Sequence, residues 1–90
     1  LPTFRRTAEI TYFLRPDACG RGIGSKMLDL LLRDGRERGI AVVLASISGK
    51  NEGSVAFHRR HGFVECGRFR NIGVKRGETF DVVWMQKTLD

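Results

Sequence analysis

Ninety residues with 41% apolar and 29% charged side chains and a formal net charge of +6 describe one small folded domain or part of one, and exclude a disordered chain. No apolar run approaches the roughly 20 residues that a membrane-spanning helix needs, and the opening LPTFRRTAEI lacks the apolar core of a secretory leader. The two cysteines, Cys19 and Cys66, have neither CxxC nor Cys/His ligand spacing, so no metal site is expected and they read as free thiols of a reducing cytosol.

In chain order, TAEITYFL (Thr7–Leu14) is rich in β-branched and aromatic residues and predicts a strand, closed by Arg15-Pro16. From Ile23 the spacing becomes helical. Ile23, Met27, Leu30 and Leu31 form an apolar stripe widened by Leu28 and Leu32, with Lys26, Asp29, Arg33 and Arg36 opposite. Gly35 interrupts this helix and Gly39 stops it. IAVVLASIS (Ile40–Ser48) is a continuous apolar run, which predicts a strand covered on both faces. After the loop GKNEGS, Ser54 is a possible cap for a short helix, VAFHRRH, that ends at Gly62. FVECGRFRNIGV and TFDVVWMQKTL predict two strands turning at KRGE, an antiparallel hairpin. Phe80 and Trp84 in the last strand read as core. The order strand-helix-strand-helix-strand-strand is an α/β pattern whose first three elements form a parallel crossover, giving a mixed sheet.

Three glycines, Gly20, Gly22 and Gly24, stand between the first strand and the first helix. A glycine-rich strand–helix turn lets a ligand approach the backbone. The unpaired amides and dipole of the helix start favour an anion, above all a phosphate, and Arg21 and Lys26 add positive charge. A plain tight turn is the competing explanation. The spelling GRGIGSK is not a P-loop, and it lacks the third glycine of the dinucleotide fingerprint, Ser25 standing there.

CGRGIGSKMLDLLLRDGRERGI followed by ISGKNEGSVAFHRRHGF resembles the acetyl-CoA-binding half of the GNAT family of N-acetyltransferases. The family's Gln/Arg-x-x-Gly-x-Gly/Ala turn falls on Cys19-Gly20-Arg21-Gly22-Ile23-Gly24, with Cys19 departing from the usual Gln or Arg. Asn51, Ser54, His58 and Gly62-Phe63 have the Asn-x-x-Ser…Gly-Phe spacing that follows the family's fifth strand. Lys75, Gly77, Asp81 and Gln86 fit the phosphinothricin and methionine-sulfoximine acetyltransferase branch. The resemblance runs from Thr7 to Leu89 and implies the C-terminal half of a GNAT fold, with residues 1–90 one acetyltransferase domain lacking its front strands and helices.

The resemblance implies acetyl-CoA as co-substrate, its diphosphate on Cys19, Gly20, Arg21, Gly22, Ile23, Gly24 and Ser25. Its pantetheine arm would lie by Asn51 and Ser54, with an oxyanion donor from the backbone near Phe13 and Leu14. The catalytic residues it implies are Glu9 and His58. Glu9 matches a proposed base of the branch, although by its residue type and place alone it reads as a solvent-facing strand glutamate. In the strand it alternates with Ile10, and burial among apolar neighbours would suit a carboxylate base. His58 stands where many members place a tyrosine acid, and a histidine can serve as acid or base near neutrality. His61 reads as a helix-end charge.

The expected activity is transfer of an acetyl group to the amine of a small amino-acid-like acceptor by direct attack, in a cytoplasmic enzyme that pairs as a homodimer, without nucleic acid or membrane. Two rivals stand beside it. One is a basic nucleic-acid-binding module, favoured by the net charge although no such motif appears. The other is a truncated acetyltransferase half that is inactive alone.

Overall fold

A computed structural model describes residues 6–10 and 23–89 of the chain. The elements are β1 (Thr7–Ile10), α1 (Ile23–Glu37), β2 (Val42–Ser48), α2 (Glu52–Arg60), β3 (Val64–Lys75) and β4 (Glu78–Thr88). They form a mixed four-stranded sheet in the order β1-β2-β4-β3. β1 runs parallel to β2, from Thr7 opposite Val42 to Ile10 opposite Ala45. β4 is antiparallel to both β2 and β3. The α/β class, element order, parallel first unit and terminal hairpin expected from the sequence are all present.

Strand alternation sends Val43, Ala45 and Ile47 of β2, with Val83 and Met85 of β4, to one face, where both helices cover them. Leu28 and Leu32 of α1, Phe57 of α2, and Phe63 and Leu89 complete this core. Full burial of side chains such as Phe57 and Phe63 is worth about 1.5–3 kcal/mol each. The opposite face, with Val42, Leu44, Val82 and Trp84, is only half-buried. Two expectations are thereby corrected. The apolar run of β2 is covered on one face rather than both, and Trp84 and Phe80 lie outside the buried core. The reason is geometric: both helices pack on the same side, and no element among the described residues covers the other.

The stripe of α1 needs the same correction. Leu28 and Leu32 face the sheet, but Met27, Leu30 and Leu31 are 58%, 62% and 51% exposed. A 100° step per residue places Met27 and Leu31 on a flank beside the buried line and Leu30 nearly opposite it. The helix ends as expected: Gly39 has φ +85°, and Ile40 N donates to Gly35 O at 2.9 Å. Arg36 Nε donates to Leu89 O at 3.0 Å, tying the helix end to the end of β4.

Asn51, not Ser54, caps α2: its Oδ1 accepts from Ser54 N at 3.0 Å. α2 closes at His61, whose N–H donates to Phe57 O and His58 O. The β3–β4 turn has positive φ at both central residues, Arg76 and Gly77, the mirror-image geometry that suits strand twist. β3 is exposed along nearly its whole length and its pairing shifts register twice, between Glu65 and Gly67 and between Phe69 and Gly73. Asp81 holds the second irregularity. Its carboxylate accepts from Asn71 N at 2.9 Å and from Arg68 Nη1 at 3.0 Å, while its carbonyl accepts from Gly49 N at 2.7 Å. The Asn71 amide first, then the Arg68 guanidinium, hold the Asp81 carboxyl below its ordinary range. Opposite Gly73, the Phe80 ring folds over the glycine where a Cβ would stand.

Candidate functional site

A cleft of about 840 Å³ opens beside the C-terminal end of β2 and extends to the β3–β4 hairpin. Three elements shape it. β1 contributes Ile10, β2 contributes residues 45–48, and the start of α2 contributes Asn51, Ser54 and His58. On the far side the hairpin supplies Lys75, Arg76, Glu78, Phe80 and Val82. Lys50 Nζ meets Glu78 Oε2 at 2.7 Å, joining the loop after β2 to the hairpin, and this pair lowers the Glu78 carboxyl. Lys75 and Arg76 make that end cationic.

His58 is the buried ionisable group of the cleft, 2% exposed. Its ring packs edge-on against Phe57 and Phe63. Nδ1 lies 2.7 Å from Ser54 O. A carbonyl only accepts, so Nδ1 carries the proton and Nε2 is the basic atom of the neutral ring. Burial lowers the His58 pKa from its ordinary 6.5, outweighing the Ser54 carbonyl, which raises it; the nearby His61 lowers it further. A neutral imidazole with its lone pair on Nε2 can accept a proton near neutrality.

The other residues singled out in the sequence fall in different places. Ser54 is buried and lines the cleft with Asn51. The Oδ1 of Asn51 accepts in the helix cap, and its side-chain amide N–H can donate to a ligand. Ile23, Gly24 and Ser25 open α1, and Ser25 Oγ lies 2.9 Å from His61 Nε2. Glu9 is exposed and pairs with Leu44, which pairs with Gln86. That register puts Glu9 on the open face of the sheet, away from Ile10 and from the helix-covered face to which α2 belongs. Glu9 is not among the residues that line the cleft holding His58. Phe13, Leu14, Cys19, Gly20, Arg21 and Gly22 lie outside the described residues. Among the described residues, no group of three or more His, Cys, Asp or Glu side chains is placed to hold a metal, and no helix is long and apolar enough to cross a membrane.

Sequence reasoning missed the role of the hairpin as a cleft wall. Alternation along β4 puts Phe80 and Val82 on one face, a signal that was available. What alternation could not reveal is the register that sets Val82 opposite Ser48 at the end of β2.

Residues 2–63 match the acetyltransferase (GNAT) family. An L-methionine sulfoximine/L-methionine sulfone acetyltransferase of Pseudomonas paraeruginosa is 37% identical over 87 residues, which are 97% of this chain and 51% of that protein. Two solved structures share the fold. The ribosomal-protein-alanine N-acetyltransferase from Brucella melitensis has a TM-score of 0.85 at 38% identity, covering 98% of this chain and 54% of that one. A GNAT-superfamily phosphinothricin acetyltransferase from Sinorhizobium meliloti, in complex with acetyl-CoA, has a TM-score of 0.86 at 32% identity, covering 96% and 46%. The chain spans about half the length of the curated relatives it matches.

Proposed function

We propose, from the premise that this chain belongs to the acetyltransferase (GNAT) family, that it forms the acetyl-CoA-binding part of an N-acetyltransferase acting on the amine of a small amino-acid-like acceptor. The observation that carries the reading is the buried, neutral His58 in a cleft shared with Asn51 and Ser54 at the end of β2. The acceptor class rests on the relative from Pseudomonas paraeruginosa that is named for methionine sulfoximine and its sulfone.

Acetyl-CoA supplies an activated acetyl thioester. The residues that would hold it are the α1 start, with Ile23, Gly24 and Ser25, and the first turn of α2, with Asn51 and Ser54; Cys19, Gly20, Arg21, Gly22, Phe13 and Leu14 are assigned to the same role. Ser54 is half of an internal pair with His58 and fixes that ring by its carbonyl. His58 Nε2 accepts the proton of the attacking amine. Its lowered pKa favours this over an acid's role, because the acid form must carry a proton on Nε2. Glu9, exposed on the other face of the sheet, is the weaker of the two catalytic assignments. The hairpin end, with Lys75 and Arg76, receives an acceptor that bears a carboxylate. The exposed trio on α1 and the long outer strand β3 support association with a second copy, and a cytoplasmic placement fits the thiol of Cys66.

Calorimetric titration with acetyl-CoA at two salt concentrations tests the reading, followed by thiol-release assays with methionine sulfoximine. Saturable binding with a dissociation constant on the order of micromolar is expected. Absence of saturation, with strongly salt-dependent binding to single-stranded nucleic acid instead, would favour the basic binding module. Binding without turnover would favour the inactive half.

A further inference from the structure

His61 occupies a place that this function does not use. It caps the C-terminus of α2 and reaches across to α1. Its Nε2 lies 2.9 Å from Ser25 Oγ, and its Nδ1 lies 3.6 Å from Asp29 Oδ1. Ser25 and Asp29 are one helical turn apart, so the imidazole sits over both, backed by the Phe57 ring at 4.7 Å. A Ser-His-Asp order invites a nucleophile reading. The geometry speaks against it: the aspartate separation exceeds a hydrogen bond, and Asp29 is 65% exposed.

We propose that His61 is a positioning residue for the cofactor turn: it decides whether the hydroxyl hydrogen of Ser25 is available to the diphosphate of acetyl-CoA. This rests on the reading that Ser25 belongs to that turn. A serine hydroxyl has one hydrogen. When His61 is neutral with its proton on Nδ1, Nε2 presents a lone pair and Ser25 spends its hydrogen on it. When His61 is protonated, Nε2 donates to Oγ, and the Ser25 hydrogen is released for a phosphate oxygen. Diphosphate binding and protonation of His61 then favour each other reciprocally.

Charged groups from three elements surround the ring. Asp29 on α1 faces the ring, which lies by the C-terminal carbonyls of α2. His58, Arg59 and Arg60 on α2, and Lys87 of β4, whose Nζ lies against Gly62, are the other titratable and cationic groups nearby. The contact also spans the two helices, linking the start of α1 to the end of the helix that bears Asn51, Ser54 and His58.

The test is calorimetric titration with acetyl-CoA between about pH 8 and about pH 5.5, the range in which histidines titrate, for the parent, His61→Gln, Ser25→Ala and the double variant. Acetyl-CoA and His58 have protonation steps of their own, so the decisive quantity is the difference between profiles. The parent is expected to gain affinity on acidification by roughly 3- to 10-fold more than His61→Gln, whose amide does not titrate. Ser25→Ala is expected to abolish that difference, and S-acetylpantetheine, which lacks the diphosphate, to show none. Thermal unfolding of each variant confirms folding. Superimposable profiles for parent and His61→Gln, or a difference that persists in the Ser25→Ala background, would overturn the inference while leaving the acetyltransferase reading intact. A parent that fails to bind acetyl-CoA at any pH would overturn that reading and this inference with it.

Discussion

The two faces of the sheet come from the same strands, yet they differ in what holds them. On one, Val43, Ala45, Ile47, Val83 and Met85 are sealed under α1 and α2 with Phe57 and Phe63. On the other, Leu44 and Trp84 are half-buried and Glu9 is exposed. Stability should therefore reside on the helix side. That face also owns the one buried histidine, because α2 delivers Phe57 to the core and His58 to the cleft from adjacent positions. Packing and chemistry share one short helix.

The largest effect should come from breaking the sealed face. Phe57→Ala removes a fully buried ring and is expected to cost about 3–5 kcal/mol in denaturant unfolding. Trp84→Ala deletes a larger side chain from the open face, yet is expected to cost less, about 1–2 kcal/mol. A Trp84 cost equal to that of Phe57 would mean that the two faces are equally covered in solution.

Next comes the hairpin. Gly73→Ala sets a methyl group where the Phe80 ring now lies and is expected to destabilise by about 1–3 kcal/mol. In a Phe80→Ala background the same change should cost little, so the pair should be strongly non-additive. Additive costs would show that the ring does not rest on the glycine.

Gly35→Ala should act in the other direction. A methyl group there would meet Ile40 and Leu89 at 3.6 and 3.7 Å, ordinary contact distances. The gain in helix propensity is about 1 kcal/mol, visible as a raised midpoint.

The mildest expectation concerns pH. His58 is lowered from 6.5 by burial, so the unfolded chain binds its proton more readily than the folded one. The stabilisation is complete above 6.5 and is lost as pH falls from there through the lower folded value. His58→Gln should flatten that part of the stability profile.

Element types and order were legible in the sequence because periodicity and the glycine stops agree: Gly39 and Gly62 end their helices where the patterns end. Burial was less legible. The run at residues 40–48 is apolar throughout, and apolarity cannot say that only one face receives helices. Likewise the stripe of α1 includes Met27, Leu30 and Leu31, and spacing alone does not reveal which flank of a broad stripe meets the sheet. In the candidate site, the family resemblance pointed to Asn51 and Ser54, which line the cleft, but it could not foresee that Asn51 would serve as the helix cap. The contact of His61 with Ser25 spans 36 residues and has no local signature.

The strand order carries a consequence for how the chain comes to be folded. β4, the last element in the sequence, lies between β2 and β3. A ribosome emits the N-terminal end first, so β2 and β3 must wait for residues 78–88 before either gains its antiparallel neighbour. Until then β2 can pair only with the short β1, and the apolar positions of residues 42–48 have an unfilled side. Unpairing residues 78–88 would therefore open the centre of the described sheet rather than its margin.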